Sequence, residues 1–344
     1  MRALTLTEHG GLDRLQAREL PDRKLERPDQ VRIAVKAAAL NRLDVFVVGG
    51  LPGVTLDFPH IVGTDAAGVI ESVGSEVSDL APGDRVVLNP GLSCGTCAMC
   101  LKGEEPYCRR FGVIGEHSPG TAAEYLVVPA RNVAKVGAHL SWAQAAALPL
   151  ATLTAWRMLI TRARLEAGET VLIWGIGGGV ALAALQIAKH AGARVVVTSS
   201  SDAKLAAAAG LGADVTLNHA TADVVREVRG LTGVGADVVV DSVGEQTWDK
   251  SLRSLRPGGR LVTCGATTGP HVSIDIRKLF WFQWSLLGST MGTSADFRAM
   301  MAVANTGKLT PPVDLVVPLA EGVRAYERLA SGSQLGKVVL EVNS

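Results

Sequence analysis

Residues 171–188 read VLIWGIGGGVALAALQIA, and the parsing of this stretch decides the fold. Gln186 is its single polar side chain, and its length reaches that at which a membrane span is considered. Four glycines argue against a span: Gly175, then Gly177, Gly178 and Gly179 in a row. Glycine weakens a helix interior and supplies the backbone freedom of a tight turn. The stretch is therefore expected to divide into an apolar strand, a glycine turn and a buried helix of a soluble sheet.

Downstream, the same alternation continues. RVVVTS, DVTLN, DVVVDS, GRLVTCG and SLLGSTMG are strand-like, and GVALAALQIAKHAG, DAKLAAAAGLG, ADVVREVRG and TWDKSLRSL are helix-like. Strand and helix in turn predict a parallel sheet covered on both faces, an α/β fold of the doubly wound, Rossmann type over residues 150–293. Upstream, QVRIAVKAAAL, AAGVIESVG, GDRVVLNPG and AAEYLVVP are short strands edged by Gly or Pro, with a turn expected at Pro82-Gly83-Asp84. They predict an irregular, largely antiparallel β domain over residues 1–149. The closing GKVVLEV returns to β character, so residues 294–344 are assigned to that domain as well.

Composition fits this division. A chain of 344 residues exceeds one ordinary core, and 47% hydrophobic against 19% charged residues is globular. Lys+Arg is 34 and Asp+Glu 33, mixed along the chain, which gives no basic stripe for nucleic acid and no basic amphipathic stretch for a membrane surface. The opening MRALTLTEHGG lacks the pattern of a secretory signal, so a cytoplasmic, reducing setting is expected.

The glycine turn carries the first chemistry. Gly175-Ile176-Gly177-Gly178-Gly179-Val180-Ala181 follows a strand and opens a helix, with a second strand about twenty residues on. Glycines let a backbone approach a pyrophosphate, and a helix N-terminus offers unpaired N–H groups. A ligand-free βα turn is the bland alternative, and the strand–turn–helix context favours a dinucleotide. Where an NAD site places Asp or Glu after the second strand, this chain has Thr198-Ser199-Ser200-Ser201-Asp202-Ala203-Lys204. Small hydroxyls at Ser199 and Ser200, with Lys204 nearby, favour the 2′-phosphate of NADP(H), with NAD(H) the alternative. Asp202 is expected to cap the following helix.

Cys94, Cys97, Cys100 and Cys108 lie within fifteen residues, with no histidine interleaved as a competing ligand. Four thiolates at this spacing suit one closed, tetrahedral, structural Zn2+ in a lobe over residues 91–110, worth about 10–16 kcal/mol when coupled to folding. Cys264, in GRLVTCG, is expected to be a small core residue.

GTDAAGVIESVG, PGDRVVLNPG, CGTCAMCLKGEEPYC, GTAAEYLVVP, LPLATLTAW, LLGSTMGT and GKVVLEV together resemble the medium-chain dehydrogenase/reductase superfamily over essentially the whole chain. The resemblance implies a GroES-like β domain beside the Rossmann domain, and a cysteine lobe like that of zinc alcohol dehydrogenases. Where those enzymes bind a reactive zinc through Cys, His and Cys, this chain has Asn41, Thr64 and Leu150, while Asp44 and Asp65 keep the carboxylate positions. The N-x-x-D and G-T-D motifs are nearer the zinc-independent quinone oxidoreductase branch. That branch usually has a small residue at Ile176, Gly at Ala181 and no cysteine lobe, so the match is mixed.

A catalytic zinc stabilises a bound alkoxide by roughly 12 kcal/mol, whereas a neutral hydrogen bond contributes about 1 kcal/mol net. The expected substrate is therefore a quinone or an α,β-unsaturated carbonyl, with Asn41, Asp44 and Thr64 as the catalytic set, Asn41 and Thr64 donating to the oxyanion, and solvent giving the last proton. By the same resemblance, Thr154 and the backbone at Ala266, Ser289 and Met291 flank the nicotinamide, and His219 lies near the 2′-phosphate. A surface-loop role for His219 is an equal alternative. Two further readings stay open: an alcohol dehydrogenase with atypical ligands, and a cofactor-binding protein without turnover. The strand SLLGSTMG resembles the family's subunit contact, implying a homodimer or a homotetramer.

Overall fold

The structure is a computed structural model that describes residues 1–343. The chain forms two compact units, one of Thr154–Met291 and one of Met1–Leu153 with Gly292–Ser344.

In the unit Thr154–Met291, six parallel strands run in the order Val215–Asn218, Arg194–Ser199, Thr170–Ile173, Ala236–Asp241, Leu255–Thr263, Ser285–Gly288. The strand order reverses direction at Thr170–Ile173, whose neighbours are the second and fourth strands of the unit, and crevices at such points hold ligands in open α/β sheets. Helices Gly179–His190, Asp202–Gly210, Val224–Thr232 and Trp248–Ser254 alternate with the strands. Because helices cover both faces, strand residues on either side are apolar, and Leu172, Val196, Val239 and Leu261 are fully buried. The stretch 171–188 thus divides as its glycines require, and among the described residues no helix is long and apolar enough to cross a membrane.

The approach to the last strand is mixed. Phe282 stacks on the buried Trp284 at 5.1 Å, while Phe280 and Trp281, on the short helix Ile276–Trp281, are 63% and 75% exposed. Ser285–Gly288 is the sheet's edge, its free side unpaired among the described residues.

The other unit is built on the long strand Gln30–Leu40. It pairs antiparallel with Asp65–Val73, Tyr125–Pro129 and the C-terminal Lys337–Glu341, which in turn lies parallel to Val313–Pro318. Val31, Ile33, Val35, Ile70, Leu126, Val338 and Leu340 form its core. Pro82 and Gly83 make the expected turn into Arg85–Leu88, with Gly83 at φ 94° and the Asp84 N–H donating to the Ala81 carbonyl. Gly68 is required by close approach, since a Cβ there would lie 2.2 Å from the Ala34 carbonyl oxygen. Gly68→Ala is expected to cost about 2–3 kcal/mol by overpacking. Urea unfolding measures it, and a loss within error of zero would contradict the account.

Candidate active site and metal centre

The strand Gln30–Leu40 ends at Asn41, which is the N-cap of the helix Arg42–Gly49. Asp44, at the third helical position, reaches back so that its Oδ2 accepts the Asn41 backbone N–H at 2.5 Å. The N-x-x-D spacing is thus first a helix-start device, and it places both side chains at one spot. The Thr64 hydroxyl donates to Asp44 Oδ1 at 2.7 Å. Asp65, which opens the strand Asp65–Val73, is completely buried and acts as the hub. Its Oδ1 accepts the Leu150 N–H at 2.8 Å, and its Oδ2 accepts Asn41 Nδ2 at 2.9 Å and Lys337 Nζ at 3.1 Å. Lys337 Nζ also donates to Asn41 Oδ1.

Asn41, Asp44 and Thr64 therefore meet as one buried cluster, and Lys337, which sequence reasoning missed, is its cation. A signal was available: a lysine opening the apolar strand of GKVVLEV, which returns to the first unit's core. Thr64, 1% exposed, directs its proton to Asp44, so of the two expected oxyanion donors only Asn41 retains an N–H beyond those bonded within the cluster. Of the residues aligned with the family's zinc ligands, one is an amide, one a hydroxyl and one, Leu150, has no donor atom. Zinc takes thiolate, imidazole or carboxylate, so this set does not fit the family's reactive metal.

Burial raises the Asp44 carboxyl to about 6, against the hydrogen bonds from Thr64 and the Asn41 N–H and the charge of Lys337, while the Asp65 charge adds to the rise. The fully buried Tyr326 phenol is pushed up by burial and by the Asp44 charge. An acid whose folded pKa lies above its unfolded 3.8 contributes stability that is complete below about pH 4 and is lost as pH rises through about 6, here about 3 kcal/mol. The stability of the wild type relative to Asp44→Asn is expected to fall by that amount between pH 4 and 7.5. Paired urea melts at the two pH values check it, and a constant difference would refute it.

In the cysteine lobe, the sulfurs of Cys94, Cys97, Cys100 and Cys108 all lie within 4.8 Å of one another. The Cys94–Cys100 and Cys97–Cys100 separations are 3.8 and 3.6 Å, matching the edge of about 3.8 Å for a tetrahedron with metal–sulfur bonds of about 2.3 Å. Backbone N–H groups of Thr96 and Cys97 donate to Cys94 Sγ, holding that thiol down to about 5, and the Arg110 N–H donates to Cys108 Sγ. Donors aimed at sulfur favour the thiolate that metal requires. Among the described residues these four are the only group of three or more metal-binding side chains. His60 and His117 instead bond locally, to the Gly115 carbonyl and the Val113 N–H. Cys264 stands apart, and burial pushes its thiol up to about 12.

The glycine turn in the other unit fits a dinucleotide. Gly175 and Gly177 have φ of 68° and 133°, a region that side chains disfavour. Gly178 is the N-cap of Gly179–His190 and offers no side-chain cap, so the first-turn N–H groups of Gly179 and Val180 face outward from the turn uncapped. Lys204 lies over the turn, with Nζ 3.3 Å from where a Gly177 Cβ would sit. One expectation is corrected: Ser201, not Asp202, caps the helix Asp202–Gly210, because Ser201 has the extended backbone of a cap and its Oγ accepts the Lys204 N–H. Asp202 instead accepts Asn218 Nδ2 at 2.7 Å. Ser199 is buried and Ser200 exposed at the strand tip. His219 is half-buried beside Trp174, its Nδ1 3.2 Å from Thr198 Oγ1, and burial with the Lys250 charge lowers its pKa.

At the far end of the sheet, the Thr154 hydroxyl lies 4.0 Å from Met291 Sδ, and Met291 takes a left-handed φ of 49°. The Ser289 N–H continues the ladder to Thr263, while its Oγ is buried with no partner among the described residues. An orphaned hydroxyl there fits a polar ligand. Ala266 is exposed on the loop after Leu255–Thr263.

This pairing of a glycine-turn sheet with a cysteine-lobed β unit defines a class of nicotinamide-type oxidoreductase. The chain matches the Zinc-binding dehydrogenase family over residues 179–306 and the Alcohol dehydrogenase GroES-like domain over residues 27–138. It is 32% identical to a zinc-type alcohol dehydrogenase-like protein of Schizosaccharomyces pombe, covering 100% of this chain and 99% of the relative. It is also 32% identical to an acryloyl-coenzyme A reductase of Metallosphaera sedula, covering 94% and 96%. A solved structure of an NAD-dependent alcohol dehydrogenase superposes with a TM-score of 0.96 at 42% identity, with each chain fully covered. The chain belongs to the medium-chain dehydrogenase/reductase superfamily and is an oxidoreductase of that group.

Proposed function

We propose that the protein is an NADP(H)-dependent reductase of quinones or α,β-unsaturated carbonyls that uses no catalytic metal. One observation carries this reading: Asn41, Thr64 and Leu150, at the positions where the family resemblance implies zinc ligands, offer no zinc-binding group, and the Lys337 ammonium already contacts Asn41 and Asp65. When bound, the reduced nicotinamide supplies hydride to the β-carbon of a conjugated carbonyl. Charge then moves to the carbonyl oxygen, where the remaining Asn41 N–H donates, and solvent protonates the α-carbon. Asp44, held by the Thr64 hydroxyl, fixes the Asn41 backbone N–H, and Asp65 with Lys337 fixes the Asn41 side chain. The Metallosphaera sedula relative supports the substrate class, since acryloyl-coenzyme A is an α,β-unsaturated thioester. The alternative, an alcohol dehydrogenase acting on alcohols or aldehydes, has the name of the superposing structure in its favour. Reduction of a panel of quinones, enones and enals with NADPH, with zinc counted in the same sample, tests the proposal. One zinc per chain with enone turnover supports it. A second zinc required for turnover, or alcohol oxidation exceeding enone reduction, would overturn it.

The cofactor assignment rests on Asp202 being turned to Asn218 and on Lys204 lying over the turn, which leaves cationic rather than anionic charge beside the ribose position. Relatives named NAD-dependent favour the other cofactor. Lys204→Ala is expected to raise KM for NADPH about 10- to 100-fold and to leave KM for NADH within about threefold, the loss of one charge-assisted contact. Steady-state kinetics with both cofactors checks it, and equal effects on the two would refute it. The lobe is proposed to hold one structural Zn2+. Four metal-binding thiolates suit the reducing cytoplasm. The exposed Phe280 and Trp281 beside the unpaired strand Ser285–Gly288 favour a homodimer or homotetramer, and a monomeric mass in solution would refute that.

A further inference from the structure

The buried cluster contains more charge than the proposed chemistry has used. Asp44 and Asp65 are 1% and 0% exposed, and Lys337, 4% exposed, is the cation that touches the cluster. Lysine is almost never so buried unless paired. Its pairing here is specific, because an ammonium only donates: it fixes which end of the Asn41 amide faces it. With Oδ1 held by Lys337, Nδ2 must face Asp65, and the 2.9 Å contact is that bond. A carbonyl oxygen bound by a cation draws electron density from its own nitrogen, so the remaining N–H becomes a stronger donor.

We propose that Lys337 is the resident cation of this site and a positioning residue for Asn41. It orients and polarises the amide that meets the substrate oxygen. This deepens the reading above and rests on it for the reaction, though not for the geometry. The chemical class recognised is unchanged: a carbonyl oxygen that gains negative charge as hydride arrives at the conjugated carbon. Other groups facing the cluster are Tyr326 and the Asp44 carboxyl; neither brings positive charge.

The test uses the intact chain and four variants, with Asn41→Ala as the reference for assignment. Lys337→Met removes the charge at similar length. Lys337→Met with Asp65→Asn removes both partners, and so protects the measurement if the single variant fails to fold. Lys337→Arg restores the charge. Turnover of an enone by Lys337→Met, or by the double variant, is expected to fall about 30-fold with KM changed less than about twofold, the loss of one charge-assisted interaction in the transition state. Lys337→Arg should recover more of the rate than Lys337→Met. A second readout needs no substrate. In protein with 15N-labelled asparagine, the side-chain resonance missing from Asn41→Ala should shift and exchange faster with solvent in the double variant. Wild-type turnover number in the folded variants, or an unmoved Asn41 resonance, would overturn the proposal. Failure of the wild type to reduce any enone would count against the reaction alone, because the resonance is read independently.

Discussion

Cys108→Ser is expected to abolish the zinc binding proposed for the lobe and to leave residues 94–108 open to protease, while the parallel-sheet unit keeps its fold. Cys108 is the buried member of the four, and the segment it closes has little core of its own: one short helix, Ala98–Leu101, and one 3-10 turn, Glu105–Tyr107, neither with a buried residue. Leu101 and Tyr107 are exposed. Apolar burial cannot hold such a segment, so the proposed metal binding, worth about 10–16 kcal/mol, is expected to order it. Metal analysis and limited proteolysis measure the outcome. A variant that keeps a full equivalent of zinc and resists cleavage as the wild type does would show that the four sulfurs are not the site.

The second large effect is expected in the other unit. Asp241, fully buried at the end of the strand Ala236–Asp241, accepts from the Val243 and Gly244 N–H groups, from the Thr247 hydroxyl and from the Ser251 hydroxyl at 2.5 Å. One carboxylate thereby ties the strand to the turn and to the helix Trp248–Ser254. Asp241→Ala strands four donors in a dry interior and is expected to destabilise the unit by about 3–5 kcal/mol. Asp241→Asn, which keeps part of the acceptor capacity, should cost less. Urea unfolding of both variants decides it, and a loss below about 1 kcal/mol for Asp241→Ala would mean that water replaces the carboxylate.

Much of this architecture is legible in the sequence because it depends on local pattern. The glycines of 171–188 reveal the strand–turn–helix, and alternation reveals the long strand Gln30–Leu40 and the helix Gly179–His190 where periodicity places them. The cysteine lobe is legible because its ligands are close in the chain. The buried cluster is less so. Asn41 and Lys337 are nearly three hundred residues apart, and only the antiparallel pairing of their strands brings the ammonium to the amide. Nor does sequence show which way a hydroxyl points: Thr64 was expected to face substrate and directs its proton to Asp44. The Asp202 cap failed for a related reason, since Ser201 and Asp202 are both good caps and the Asn218 contact that separates them comes from a neighbouring strand.

The pairing of Gln30–Leu40 with Lys337–Glu341 has a consequence for the order of synthesis. Everything the middle unit needs has left the ribosome once residue 291 is out, so that unit can collapse while translation continues. The flanking unit has to wait. The strand Gln30–Leu40 stands without one neighbour, and the buried Asp65 without its ammonium, until residues 337–341 have been made. A stalled or truncated product would therefore expose an open β edge rather than a slightly impaired enzyme, and quality control would meet it as an unfinished protein.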